Sequence, residues 1–430
     1  MISSFGWLDL SDTEQRRARE YLRQFRVEGT IDELGFGILR DALADIFFPA
    51  TNTIMTHTRY LFFVAASFLR IERERLSGAK AAKRLKELED SLRQILTPAG
   101  SGAASEARLR GVIGASAKDD LQRYPSSIYW NSIKRLGLFL RPRWGLTYYL
   151  DHLADHYKAI TPRRDDDGLS HLAVAEMPNW DPRLEEVLNS SAAVSEDLEF
   201  LPDLDFELSL KEARYLKDRF QALADAKGAS LLAHLLEESC DVEFSYPWEV
   251  VGPDLLRPLV KHAQSFSMFT KGATLQYYDM LLEEQKATGL TVSVDSFEKP
   301  FAEWFSLTQD QLAAWDVEAF MPLLEGKCRL RPSDRQFLRE WLMMCRDAKD
   351  GKTLLRDIGA RDSVKRRERA VRPIKHRLGQ DKYLRQWQSP ESLDGQWYAD
   401  PNHLPYLLNY RSDIGGDFVR DIVAGLRKKV

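Results

Sequence analysis

Cysteine is scarce in this chain, with three residues, Cys240, Cys328 and Cys345, among 430. None sits in a C-x-x-C pair, so neither a disulfide framework nor a structural zinc site is expected. Long apolar runs are missing too. The longest, Leu61 to Leu69, falls well short of the roughly 20 residues that span a bilayer and runs straight into Arg70, Glu72, Arg73 and Glu74. It reads as a buried helix, and no membrane association is expected. Where an export signal would place a basic stretch and then an apolar one, the N-terminus carries Asp9 and Asp12, which points to the cytoplasm.

The marks of the commoner enzyme chemistries are also lacking. There is no phosphate-binding G-x-x-x-x-G-K loop, no G-x-G-x-x-G after a strand, no G-x-S-x-G elbow and no H-E-x-x-H. Nucleotide hydrolysis, Rossmann redox chemistry, esterase chemistry and zincin proteolysis have no support. No cofactor is implied, no residue is nominated as catalytic, and the balance is against an enzyme. With a net charge of -4 the surface as a whole is not a polycation. Any nucleic-acid binding must come from local patches.

What is present is helix. Hydrophobic residues make up 44% and charged residues 29%, an ordinary composition for packed domains, and the length suits two or three of them. Ser11-Asp12-Thr13-Glu14, Thr30-Ile31-Asp32-Glu33 and Ser209-Leu210-Lys211-Glu212 each read as a capping box that starts a helix. The second precedes Leu34, Ile38, Leu39, Ala42, Leu43 and Ile46, on one face until Pro49 stops the helix. The third opens an amphipathic stretch reaching about Glu238. Thr58 to Leu96 is again helical with a break at Ser77-Gly78, and its charged segment Lys80 to Arg93 reads as a solvated face. Further helical patterns cover Phe301–Phe305, Gln309–Leu324 and Ser333–Ala348. Strand-capable pieces such as Leu138–Arg141 and Leu290–Val294 are few. The expected class is a mainly α, multi-domain protein with a candidate helix-turn-helix or winged-helix segment. Its divisions are a helical domain over 1–162, an acidic, proline-marked linker over 163–204, a central helical domain over 205–350 and a basic helical region over 351–430.

Two stretches suggest nucleic-acid contact. Within 109–149, Ser116 caps a short helix through Leu121, Tyr124-Pro125 is a turn, and Ser126 to Gly137 is a second helix. Its apolar face is Ile128, Ile133 and Leu136, which leaves Ser127, Asn131, Lys134 and Arg135 for solvent or a DNA groove. Arg141 and Arg143 follow on a basic wing. From Arg361 to Arg385, ten Lys or Arg stand against three acids, and Lys365, Arg366, Arg367, Arg369 and Arg372 share a helix ahead of Trp387, Trp397 and Tyr398. Cations release counterions from phosphates and aromatics accept unpaired bases. An acidic neighbouring domain or partner protein would suit the same run.

Two other constellations read as structural. His152 and His156 lie at i, i+4 spacing with Asp151 and Asp155 nearby, but lack the glutamate of a zincin, and no metal ligand is nominated. Around Pro49, Arg40, Asp41 and Asp45 precede and Thr51, Asn52, Thr53, His57 and Arg59 follow. This fits a buried polar network in which Arg59 pairs with Asp41 or Asp45, and Thr51 and Asn52 cap the next helix.

The opening Ser4-Phe5-Gly6-Trp7-Leu8-Asp9, the E-L-G-F-G-x-L-R-D-A-x-A-D-x-x-F-P segment from Glu33 to Pro49 and the T-R-Y-L-F-F-V run from Thr58 to Val64 resemble an uncharacterised bacterial family. Leu408-Asn409-Tyr410-Arg411 is a weaker echo. The resemblance implies a place beside helicases and phospholipase D-like nucleases in antiphage defence clusters, and it brings no catalytic residues. The expectation is therefore a non-catalytic defence component that binds DNA or RNA, docks a helicase or nuclease, or does both. The alternatives are a metal-dependent hydrolase using Asp41, Asp45, His152 and His156, which would have to converge on one ion, and a pure protein-interaction scaffold.

Overall fold

The computed structural model describes residues 36–97, 111–115, 121, 123–160, 163–164, 170–171, 178–191, 193–239, 243–287, 297–330, 332–354 and 407–428. These are mainly helical, as the sequence predicts. Among the described residues the chain forms two compact units: one contains 36–38, Phe269–Ala313 and 330–354, the other Leu39–Met268, Ala314–Arg329 and 407–428. Neither is a continuous stretch of the sequence. Composition marks turn-rich segments, but it does not show which distant segments return to the same core.

In the larger unit, α1 (Gly37–Phe47) buries Leu39, Leu43 and Phe47 and ends just before Pro49. Ile38, expected on that face, is exposed. The helix α2 (Tyr60–Arg73) is the centre: Tyr60 through Phe68 are all buried, as befits a helix that is apolar on every side. Among the described residues no helix is long and apolar enough to cross a membrane. After the break at Ser77, α3 (Gly78–Leu96) packs on α2 through Ala81, Leu85, Leu88 and Leu92 and turns its charged residues outward. Glu89 is the exception. It is buried, and its carboxylate accepts from the Ser126 backbone N–H at 2.6 Å and the Ser126 hydroxyl at 3.1 Å.

That contact starts α4 (Pro125–Arg135), whose N-cap residue Tyr124 supplies no side-chain cap. Gly137 takes φ 70° beyond its end. The following stretch is not a free wing, because Phe139 bridges antiparallel to Trp180, with Leu140 N–H donating to Asn179 and Asp181 N–H to Leu138. The helix α5 (Leu146–Ile160) packs on α3. A two-residue ribbon joins β1 (Arg163–Arg164) to β2 (Ser170–His171). The segment expected as an acidic linker over 163–204 instead supplies core: Trp180, Leu184, Leu188, Val194 and Leu198 are buried, and Asp181 caps α6 (Pro182–Asn189) with Pro182 at the first turn. Its prolines and acids mark a helix start, which the composition alone disguised.

The capping box at Ser209 is present, with Ser209 accepting from Glu212 N–H and Glu212 from Ser209 N–H. It opens α7 (Leu210–Lys227), shorter than expected because Gly228, at φ 102°, ends it and Ser230 caps a new helix, α8 (Leu231–Glu237). Two 3-10 turns, Pro247–Glu249 and Asp254–Leu256, lead into α9 (Arg257–Ala287), whose residues up to Met268 belong to this unit. The short α11 (Val317–Leu323), capped by Asp316, follows α10 (Glu298–Ala314) in the chain. At the end α13 (Ser412–Leu426) packs on α7 and α8, so part of the expected C-terminal region belongs to the same core.

Polar residues flanking Pro49 do form a network, buried at Arg59 and Glu212 and open to solvent at Asp45 and Asp205, with different partners from those expected. Arg59 donates to Glu212 at 3.3 Å and Asp205 at 2.7 Å, while Asp45 pairs with Arg411 at 2.7 Å. Thr51 donates to the Phe48 carbonyl and Asn52 to the Ile128 carbonyl, so they fix the turn and do not cap α2.

In the smaller unit, α10 meets α9 where Gly272 faces the Trp304 indole, an approach with no room for a Cβ. Trp341, fully buried on α12 (Pro332–Asp347), packs at 4.9 Å from Phe269 and 5.7 Å from Trp304. The capping boxes at Ser11 and Thr30, the opening motif, the first helix of the expected helix-turn-helix, Leu290–Val294 and the basic run from Arg361 to Arg385 lie outside the described residues.

Candidate nucleic-acid interface

Periodicity decides which way α4 faces. Ile128, Tyr129, Trp130 and Ile133 are buried against the core, and this leaves Ser127 and Asn131 exposed with Lys134 and Arg135 part-exposed. The two cations fall in the last turn, where the carbonyl end of the helix dipole favours them. Asn131, Lys134 and Arg135 form one wall of a groove of about 690 Å³ within the larger unit.

Other elements bring further charge to it. Lys227, the last residue of α7, and Lys327, in the turn after α11, also line the groove and are exposed. The only described acid on the lining is Asp45, from α1. Its carboxylate is shared between Arg135 at 3.2 Å and Arg411 at 2.7 Å. Four lysine and arginine side chains thus face one carboxylate that is itself held by two arginines. Partial burial lowers the Lys134 pKa from its ordinary value. The floor is apolar, with Ala42, Ile46, Leu223 and Leu259, and the rim carries Leu255, 77% exposed, and Leu323.

This geometry changes what α4 can do. A recognition helix must project into a major groove about 12 Å wide, whereas the polar face of α4 is the side of a concavity. A cavity in the range of about 300–1,000 Å³ takes a group of small-molecule size, so the shape suits nucleotide-sized parts of an extended strand better than a duplex. Arg141 lies with its guanidinium 5.5 Å from the Trp144 ring, Arg143 is exposed, and Pro142 between them lines the groove. Lys365, Arg366, Arg367, Arg369 and Arg372 lie outside the described residues.

Sequence reasoning missed Lys227 and Lys327. The first had a signal, a lysine at a helix end just before a glycine; the second had none. The proposed hydrolase set is not assembled. Asp41 and Asp45 both face Arg411, His152 is stacked on Tyr148 with ring centroids 3.7 Å apart, and His156 is buried beside Tyr157. Among the described residues no group of three or more His, Cys, Asp or Glu side chains is placed to hold a metal ion.

No curated protein and no solved structure matches this chain. A family model does, over residues 2–160 and 184–404. The chain belongs to the family described as a family of unknown function, DUF6361.

Proposed function

We propose that this protein is a non-catalytic nucleic-acid-binding component of a bacterial antiphage defence system, which holds a strand for a helicase or nuclease partner. The observation that carries the reading is the convergence of Asn131, Lys134, Arg135, Lys227 and Lys327 on one groove. Three of these are the residues that the α4 pattern nominated from sequence, and two arrive from distant segments with the same charge. Lysine and arginine side chains neutralise phosphates, and an asparagine amide can both donate to and accept from a base edge. The defence setting and the helicase or nuclease partner rest on the resemblance of the Glu33–Pro49 and Thr58–Val64 segments.

The test is fluorescence anisotropy of the full chain with labelled single-stranded and duplex oligonucleotides over a series of salt concentrations. Affinity should fall as salt rises, with the log–log slope shrinking by about 0.7 for each phosphate contact removed by Lys134→Glu, Lys227→Glu or Lys327→Glu. Absence of binding to any DNA or RNA at low salt would end the nucleic-acid reading. A second reading, a protein-docking scaffold, is favoured by the exposed apolar residues Val251, Leu255 and Leu323. It predicts co-purification with neighbouring gene products that Leu255→Asp abolishes, and no oligonucleotide binding.

A further inference from the structure

Beyond the groove, α5 and its entry carry an aromatic ladder anchored on the core at one end, where the Trp144 ring lies 6.4 Å from that of buried Phe139. Trp144, Tyr148 and His152 follow one another at i, i+4 and i+8, so they lie along one face of the helix and its entry. The Trp144 and Tyr148 rings meet edge to face at 5.2 Å, and Tyr148 and His152 stack at 3.7 Å and 19°. Tyr148 is 46% exposed and the other two are partly exposed. Buried aromatics of this unit, such as Trp130, Phe139 and Tyr149, are packed against each other. From its anchor on Phe139 the row continues to exposed Tyr148 and part-exposed His152. Among the described residues the His152 ring hydrogen-bonds within its own helix, its Nδ1 lying 2.8 Å from the Tyr148 carbonyl.

Charge gives the row a direction. At its Trp144 end stand Arg141, whose guanidinium lies over the Trp144 ring, and exposed Arg143. At its flank stand exposed Asp151 and Asp155, the latter paired with Lys158 at 3.3 Å. A polyanion is drawn to the arginine end and repelled along the acidic flank. Pro142, between the two arginines, lines the groove, so the arginine end of the ladder adjoins the groove's own cations. We propose that Trp144, Tyr148 and His152 are a base-stacking platform for single-stranded nucleic acid, continuing the strand path out of the groove, with Arg141 and Arg143 on its phosphates. Aromatic faces accept any base, cations track the backbone, and neither needs a duplex. This inference rests on the nucleic-acid reading of the groove and narrows its ligand to a single strand.

The experiment compares three probes on the full chain at low salt: an oligothymidylate, an abasic phosphodiester oligomer of equal length and charge, and a duplex. The variants are Tyr148→Ala and His152→Ala, with Tyr148→Phe as the conservative control and circular dichroism to confirm folding of these surface changes. Each alanine variant should weaken oligothymidylate binding roughly 5- to 160-fold and leave the abasic oligomer unchanged, and Tyr148→Phe, which keeps the ring, should bind as the wild type does. Wild-type protein should bind oligothymidylate more tightly than the duplex. Unchanged oligothymidylate binding in both alanine variants, with loss still caused by Lys134→Glu, overturns the platform and leaves the groove reading standing. Equal weakening on the abasic oligomer also overturns it, since only backbone contact would then be affected. If none of the three probes binds, both readings fall together.

Discussion

Glu89 is a buried carboxylic acid at the start of another helix, and Glu89→Gln should change how stability depends on pH. Its carboxylate accepts the Ser126 backbone N–H at 2.6 Å and the Ser126 hydroxyl at 3.1 Å, in place of the cap that Tyr124 does not supply. Burial pushes its pKa up to about 8 from 4.5, against the opposing pull of the two Ser126 hydrogen bonds. The folded protein therefore binds this proton more tightly than the unfolded chain. Stability from the group is fully present below pH 4.5 and is lost as pH rises through about 8. At about 1.4 kcal/mol per unit, the window amounts to a few kcal/mol, on the order of 3–5. Glutamine keeps the shape and an acceptor for the Ser126 amide but has nothing to titrate. The measurement is urea unfolding of both proteins from pH 5 to 9, and the difference between them cancels every other titrating group. Glu89→Gln should gain on the wild type as pH rises, and by pH 7.5 it should be the more stable by about 2–4 kcal/mol. A difference that stays constant over this range would refute the reasoning, because it would mean that the carboxylate ionises in the folded state as it does in water.

Arg59→Ala should cost about 3–5 kcal/mol in the same unfolding assay, because it strands the fully buried Glu212 carboxylate without its cation; a loss below about 1 kcal/mol would show the pair to be dispensable. Gly425→Ala tests packing against propensity: alanine gains at most about 1 kcal/mol, the helix-interior value, because Gly425 is in the last turn of α13, but its Cβ would stand 2.7 Å from the Ala213 Cβ and 3.0 Å from the Leu208 Cβ. Overpacking of this kind costs about 1–3 kcal/mol, so a lower melting temperature is expected, and a higher one would show that α13 can move away from α7.

Local chemistry was legible and distant pairing was not. The stop at Pro49, the break at Ser77, the capping box at Ser209 and the inward face of α4 depend on residues within a turn or two of each other, and the structure has them where the pattern put them. Glu89 lay in a segment that reads as a solvated charged face. It is buried because an uncapped amide 37 residues away needs an acceptor, which no periodicity can reveal. Arg59 was rightly placed in a polar network, yet its partner Glu212 is 153 residues off. The groove has the same character: α4 declared its polar face, but Lys227 and Lys327 join it only once the chain has folded.

Among the described residues, two of the stretches that carry the family resemblance, around Pro49 and Thr58–Val64, both bind the returning end of the chain. Asp45 and the Thr51 carbonyl, from the segment around Pro49, both bind the Arg411 guanidinium, at 2.7 and 2.8 Å. Arg411 belongs to the short Leu408–Arg411 echo and sits 366 residues from Asp45. Its neighbour Tyr410 is buried and donates to the Ala263 carbonyl at 2.7 Å, while its ring packs at 5.9 Å on Phe47. Thr58, from the third stretch, donates both its N–H and its hydroxyl to Asp421 on α13. The recognisable residues thus form a joint that ties α1 and α2 to the returning end of the chain. A guanidinium shared between a carboxylate and a backbone carbonyl is held by geometry as much as by charge. The joint also reaches the proposed nucleic-acid groove, because Asp45, which holds Arg411, lines that groove and pairs with Arg135 of α4 at 3.2 Å.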